Sequence, residues 1–160
     1  GPSAVQAALA LSGLPPYPHA FLGYLPRRRA ERRTFLERYK TLPTTLVVFG
    51  TPHRLAAELA DARDVWGDRD AALARELTKV YQEVIRGSLG EIAEEVKARP
   101  RKGEMTLVVA GAREEADAGA AVKLARELVA EGLSATRAAA VAARTFNVAK
   151  RSVYKHLTRG

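Results

Sequence analysis

Residues 44–67 read TTLVVFGTPHRLAAELADARDVWG. The core of the first part, LVVF, has no polar alternation, and Gly50 closes it. A short β-branched run of this kind predicts a strand buried on both faces. Thr51-Pro52 then opens a helix, because proline is tolerated in a first turn, and Gly67 ends it. A buried strand followed directly by a helix is the unit from which α/β domains are built.

Working outward, the same alternation continues on both sides. Pro2-Ser3 predicts a helix start and cap for AVQAALALSG, which stops at Gly13. Apolar residues occupy nearly every face of that helix, which predicts burial on both sides. A proline-rich loop and the strand candidate AFLGYL (20–25) follow. Residues 27–40, RRRAERRTFLERYK, carry seven positive and two negative side chains and predict a helix with Phe35, Leu36 and Tyr39 inward. Its charged residues form either a solvated face or a phosphate-binding one. C-terminal to Gly67, AALARELTKVYQEVIRG reads as strand, functional turn and strand. SLGEIAEEVKAR is an amphipathic helix with Ser88 as cap and Glu91 three residues on, a capping box, and Pro100 ends it. EMTLVVAG (104–111) is a further strand.

At AREEADAGA (112–120) the composition turns acidic and short of large apolar residues, which predicts a linker. Beyond it three helical patterns run to the end, with a turn at Phe146-Asn147-Val148, a helix-turn-helix arrangement. Ser134 is placed as cap of the second helix. Ala138, Ala139, Val141, Ala142, Phe146, Val148, Val153 and Leu157 are its expected core. From Leu133 to the end there are six Lys or Arg and no acid.

The chain of 160 residues has 26 Lys and Arg against 18 Asp and Glu, a net charge of +8. That surplus favours a polyanionic partner, with nucleic acid first and a basic protein lacking such a partner as the alternative. There is no cysteine, and the three histidines are scattered, so neither a disulfide framework nor a metal cluster is expected. No run reaches the 18 to 20 apolar residues of about one membrane span, and no secretory signal is evident. The composition reads as that of a cytoplasmic protein.

Seven motifs in order, GPSA, LSGLP, GYLPRRRAERR, TPHRL, ARELTK, IRG and KGE, resemble one bacterial family. It comprises the methyltransferases that act on the 2′-oxygen of a cytidine in small-subunit (16S) ribosomal RNA. They are class III S-adenosylmethionine methyltransferases of the tetrapyrrole methylase fold. The resemblance covers residues 1 to about 112 and implies the second, mixed-sheet α/β domain of that fold over 1–112. Residues 113–160 then resemble the linker and small all-α, helix-turn-helix-like tail that many members carry. In the family GPSA lies mid-chain, after a first α/β domain, so the resemblance implies a C-terminal piece that is inactive alone.

Methyl transfer is an in-line displacement, which needs a cradle for the cofactor and a held acceptor. The resemblance assigns S-adenosylmethionine contacts to Ser3, Ala4, Phe49, Gly50, Leu77, Thr78 and Gly103. It departs from the family at Phe49-Gly50-Thr51, where a Tyr-Glu-Ser-type run is usual. RNA phosphates are assigned to Arg27, Arg28, Arg29, Arg32 and Arg33, and in the tail to Lys150, Arg151 and Lys155. Glu76, Lys79, Glu83, His53 and Arg54 are polar residues within the motifs, but none is assigned as general base. Glu76 with Arg75 or Lys79 reads as a structural ion pair, and His53 and Arg54 as helix-capping residues. The expected partners are small-subunit ribosomal RNA and a second copy of the complete protein. Two other readings stay open: a tetrapyrrole methylase, whose anionic macrocycle also suits arginine, and a non-enzymatic nucleic-acid adaptor.

Overall fold

The computed structural model describes residues 3–76, 80, 82–112, 115–146 and 148–159. The chain forms two compact units, residues 1–112 and 113–160.

In the first unit the order is α1 (Ala4–Ser12), β1 (His19–Tyr24), α2 (Arg29–Glu37), β2 (Thr45–Gly50), α3 (Leu55–Trp66), β3 (Asp70–Arg75), β4 (Glu83–Ser88), α4 (Leu89–Ala98) and β5 (Met105–Val109). The strands lie in the order β1-β2-β5-β3-β4. Only β1 and β2, joined through α2, are parallel; the other neighbours are antiparallel. The mixed sheet agrees with the expected fold.

The two apolar runs occupy the middle of the sheet because they can bury both faces. Leu46, Val48, Leu73, Leu107 and Val109 meet Leu36, Leu55, Leu59, Leu89 and Ile92 from α2, α3 and α4. On the other face Val47, Val108 and Ala74 meet Ala8 and Leu9 of α1. Trp66 is buried and donates its indole N–H to the Leu36 carbonyl at 2.8 Å, so α3 is tied to the end of α2.

Helix α1 buries Ala8, Leu9 and Ser12 but leaves Ser3, Ala4, Gln6 and Ala10 exposed. The expectation of burial on both sides is therefore corrected: its outer face is mostly alanine and glutamine, which are inexpensive to leave in water. Ser3 takes the cap position without a side-chain capping bond. Arg86 instead secures the far end, donating from Nε (3.0 Å) and Nη2 (2.6 Å) to the Leu11 carbonyl, where a cation complements the helix dipole.

The cap on α4 is as expected, with Ser88 Oγ accepting the Glu91 N–H at 3.1 Å. Ser88→Ala should lower unfolding free energy by about 1 kcal/mol. Urea titration measures it, and a change within a few tenths would mean that water replaces the cap.

The second unit comprises α5 (Glu115–Ala130), α6 (Ala135–Phe146) and α7 (Lys150–Thr158). Helix α5 corrects the linker expectation from Glu115 onward: the alanines favour helix. Ala121 and Ala125 pack on Ala138, Ala139, Ala142 and Ala143, with Val153 from α7. Val141, expected in this core, is 38% exposed. It lies on the opposite side of α6 from the 138, 139, 142, 143 face, and Ala143 fills the core instead. Ser134 Oγ accepts the Arg137 N–H at 3.3 Å.

Candidate functional site

The register brings one set of expected residues together. Tyr24, Phe49, Thr106, Ala74 and Val84 form a row across the sheet, on the face that α1 covers in part. The next row, Gly50, Met105 and Arg75, is where β2 and β3 end and β5 begins. One step further, the Glu76 N–H donates to the Glu104 carbonyl at 3.1 Å. Phe49, Gly50 and Gly103 thus share one end of the sheet. Ser3 and Ala4 stand at the exposed start of α1, on the face that carries Phe49. Leu77 and Thr78, with Lys79, lie outside the described residues.

The turn after β3 is held in an uncommon conformation. Glu76 has φ +52°, in the left-handed region that costs a non-glycine residue energy. Its carboxylate accepts the Glu104 N–H at 2.9 Å. Gly103, at φ +92°, leaves the room: a Cβ there would sit 1.5 Å from Glu76 Oε1. Glu76 is thus engaged with the backbone beside Gly103. Arg75 pairs with Glu83 at 3.4 Å, and Arg99 and Arg101 converge on the same carboxylate at 3.1 and 3.2 Å. Hydrogen bonding from Arg101 is the main cause that holds Glu83 below the usual carboxylate range.

Three aromatic rings meet at the outer part of this face. Phe49 lies edge-on to Phe21 at 4.8 Å between centroids and 5.5 Å from Tyr24. The β1–β2 register shifts between Phe21 and Tyr24, where Gly23 adopts φ +69°, a bulge that puts Tyr24 opposite Phe49.

The arginine run divides into two groups. Arg32 is buried, with Nε 2.8 Å and Nη2 2.7 Å from Asp61 Oδ2. Its Nη1 donates to the Pro26 and Arg27 carbonyls at 3.3 and 3.0 Å. Arg33 reaches Asp61 at 3.1 Å and Asp64 at 3.2 Å. Burial pushes the Asp61 carboxyl up, but hydrogen bonds from Arg32 and Arg33 outweigh it, so it stays below the ordinary carboxylate range. Arg32 is a latch between α2 and α3, and its guanidinium has no reach to a phosphate. Arg27 and Arg28 are exposed on the turn that this latch fixes, and Arg29, exposed at the start of α2, has its Nε 3.4 Å from Asp61 Oδ1. Asp61 is the residue that sequence reasoning missed; nothing local in ELADARD marks it as the acceptor for an arginine 29 positions earlier.

His53 is exposed. Arg54 occupies the cap position of α3 but makes no side-chain capping bond. Its Nη1 donates to the Leu25 carbonyl at 3.3 Å, and its Nε lies 3.7 Å from buried Glu58. Lys150, Arg151 and Lys155 are exposed along α7. Among the described residues there is no cluster of metal ligands and no helix long and apolar enough to cross a membrane.

The tetrapyrrole (corrin/porphyrin) methylase family matches residues 1–93. The chain is 46% identical over 134 residues to the ribosomal RNA small subunit methyltransferase I of Mycobacterium tuberculosis, covering 83% of this chain and 47% of that protein. It is 34% identical over 160 residues to the protein of the same name from Streptococcus pyogenes, covering 97% and 56%. The chain therefore spans about half the length of the curated relatives it matches. Among solved structures, the methyltransferase CobJ superposes with a TM-score of 0.54 at 17% identity, over 70% of this chain and 49% of that one. Cobalt precorrin-4 methyltransferase CbiF gives 0.50 at 16%, over 68% and 49%. These two likenesses speak to the fold alone. With the mixed sheet, the strand-end site and the match over more than half its residues, the chain belongs to the tetrapyrrole (corrin/porphyrin) methylase family.

Proposed function

We propose that this chain forms the second α/β domain and tail of an S-adenosylmethionine-dependent enzyme that methylates the 2′-oxygen of a cytidine in small-subunit ribosomal RNA. The observation that carries this reading is the 46% identity, over 83% of the chain, to ribosomal RNA methyltransferases. The working form is a homodimer in the cytoplasm.

The strand-end site fits an uncharged ligand part with an aromatic face, such as adenosine. Phe49 offers a half-buried ring, Gly50 is buried, and the position after Phe49 carries no carboxylate. S-adenosylmethionine supplies an electrophilic methyl group when bound. Phe49 and Gly50 would wall its adenosine, and Leu77-Thr78 would meet the adenine edge. The first-turn N–H groups of α1, beside Ser3 and Ala4, lack intrahelical acceptors and would face its carboxylate. Gly103 with Glu76 would fix the turn that closes this side.

Arg27, Arg28 and Arg29, with Lys150, Arg151 and Lys155 in the tail, would hold RNA phosphates; Arg32 is left out because it is buried against Asp61 and Arg33 because Asp61 and Asp64 pair it, whereas Arg29, though 3.4 Å from Asp61, keeps 71% of its side chain exposed. Arg27→Glu with Arg28→Glu should weaken RNA binding and flatten the plot of log affinity against log salt by about 2 units. Unchanged affinity at low salt would remove this turn from the interface. For the activity itself, the complete enzyme carrying this chain should transfer tritiated methyl groups to small ribosomal subunits, and the 160-residue chain alone should transfer none. Label entering a corrin or porphyrin instead would overturn the reading.

A further inference from the structure

Two large apolar side chains stand out on the sheet of the first unit. Phe21 is 48% exposed and Tyr24 57% exposed, both on β1. Isolated exposed apolar residues need no explanation, but these two share a third ring, Phe49, at 4.8 and 5.5 Å. Helix α1 packs chiefly on β3, β5 and β4 and does not cover the β1 part of this face.

The flanking chemistry narrows the occupant. Tyr24 ends β1, and Arg27, Arg28 and Arg29 follow within five residues, all exposed. Three residues of extended chain span about 10 Å at most, so the first of these cations lies within roughly one or two nucleotide steps of the ring. The Arg32–Asp61 latch holds this turn through the Pro26 and Arg27 carbonyls, so cations and rings are presented from a fixed backbone. Exposed rings beside a cationic track are what unpaired bases and their phosphates require. A duplex offers its phosphates but keeps its base faces stacked inside.

We propose that Phe21 and Tyr24, backed by Phe49 and flanked by Arg27, Arg28 and Arg29, form a stacking platform for the bases of single-stranded RNA. The proposal rests on the RNA reading above and adds to it the substrate class: an unpaired segment, gripped beside the strand-end site. Stacking splays bases apart and exposes the ribose between them, which is what an acceptor 2′-oxygen needs.

The test uses the 160-residue chain and a fluorescein-labelled 12-nucleotide RNA, read by anisotropy, as single strand and as duplex. The wild-type chain should bind the single strand more tightly. Phe21→Thr with Tyr24→Thr keeps the strand preference of β1, and both positions are exposed, so circular dichroism should not change. This variant should lose about 5- to 100-fold in affinity for the single strand, at an unchanged salt slope, and little for the duplex. Tyr24→Trp should retain affinity, and its fluorescence should be quenched by the RNA. Wild-type affinity in the double threonine variant would overturn the platform while leaving the arginines as phosphate contacts. The same result with a dimer-to-monomer change in light scattering would assign the rings to a second copy of the chain. Wild-type chain that binds neither RNA form at low salt would overturn the platform together with the RNA reading.

Discussion

Asp61→Ala should lower the unfolding free energy by about 3–5 kcal/mol, because it strands a buried guanidinium without its counter-charge. The Arg32 and Asp61 side chains are only 6% and 5% exposed, so little water reaches either. Urea denaturation measures the loss. Replacing both partners, Asp61→Ala with Arg32→Met, should recover most of it, since the buried charge is then gone as well. Arg33→Ala alone should cost much less, as its ion pairs are partly solvated. A small effect for Asp61→Ala would mean that the Pro26 and Arg27 carbonyls suffice for Arg32. The pH dependence has a defined sign. The folded-state pKa of Asp61 is depressed, so its contribution is fully present above the ordinary carboxylate range and is lost as pH falls through the depressed value. Buried Glu58 behaves oppositely: burial raises its pKa against the pull of Arg54 and Arg32. Its contribution is present below the ordinary carboxylate range and is lost as pH rises through the raised value. Asp61→Asn should therefore blunt the acid limb of the stability profile. Because the latch holds the turn bearing Arg27 and Arg28, on the proposed reading loss of Asp61 should also weaken RNA binding by the protein that stays folded.

Gly103→Ala should destabilise the first unit by about 2–4 kcal/mol, from two separate causes. An alanine at φ +92° is disfavoured by its own backbone. Its Cβ would also occupy the place of the Glu76 carboxylate, which would have to release the Glu104 N–H. The second cause can be isolated. Glu76→Gly removes the clashing side chain and relieves the +52° strain, so the double variant should lose less than Gly103→Ala alone. Equal losses in the single and double variants would show that the clash with the Glu76 side chain adds nothing to the backbone cost. On the proposed reading, Gly103→Ala in the complete enzyme should also weaken S-adenosylmethionine binding, measured by calorimetry, because Glu76 precedes the proposed contacts Leu77 and Thr78 in sequence.

Much of this was legible in the chain itself. The apolar runs at 46–49 and 107–110 read as strands, the first as one buried on both faces, and both lie in the interior of the sheet. Ser88 with Glu91 fixed a helix start because a cap is a local event, settled within four residues. Local reading failed where one pattern serves two outcomes. Alanine-rich acidic sequence suits a linker or a helix start, and α5 takes the second. The largely apolar first helix suits two-sided burial or, when much of it is alanine, exposure of one side.

The arginine run separates the two levels most clearly. The sequence by itself determined that seven positive charges crowd residues 27–40, and that strands and helices alternate up to a helical tail. The tertiary structure alone decided which of those charges face outward. Arg32 turns in because the fold brings Asp61 from another helix into its reach, and a charge leaves water only where a partner waits. Pairings 29 residues apart, like the meeting of Phe21, Tyr24 and Phe49 across two strands, depend on register and topology, which no local window of sequence carries.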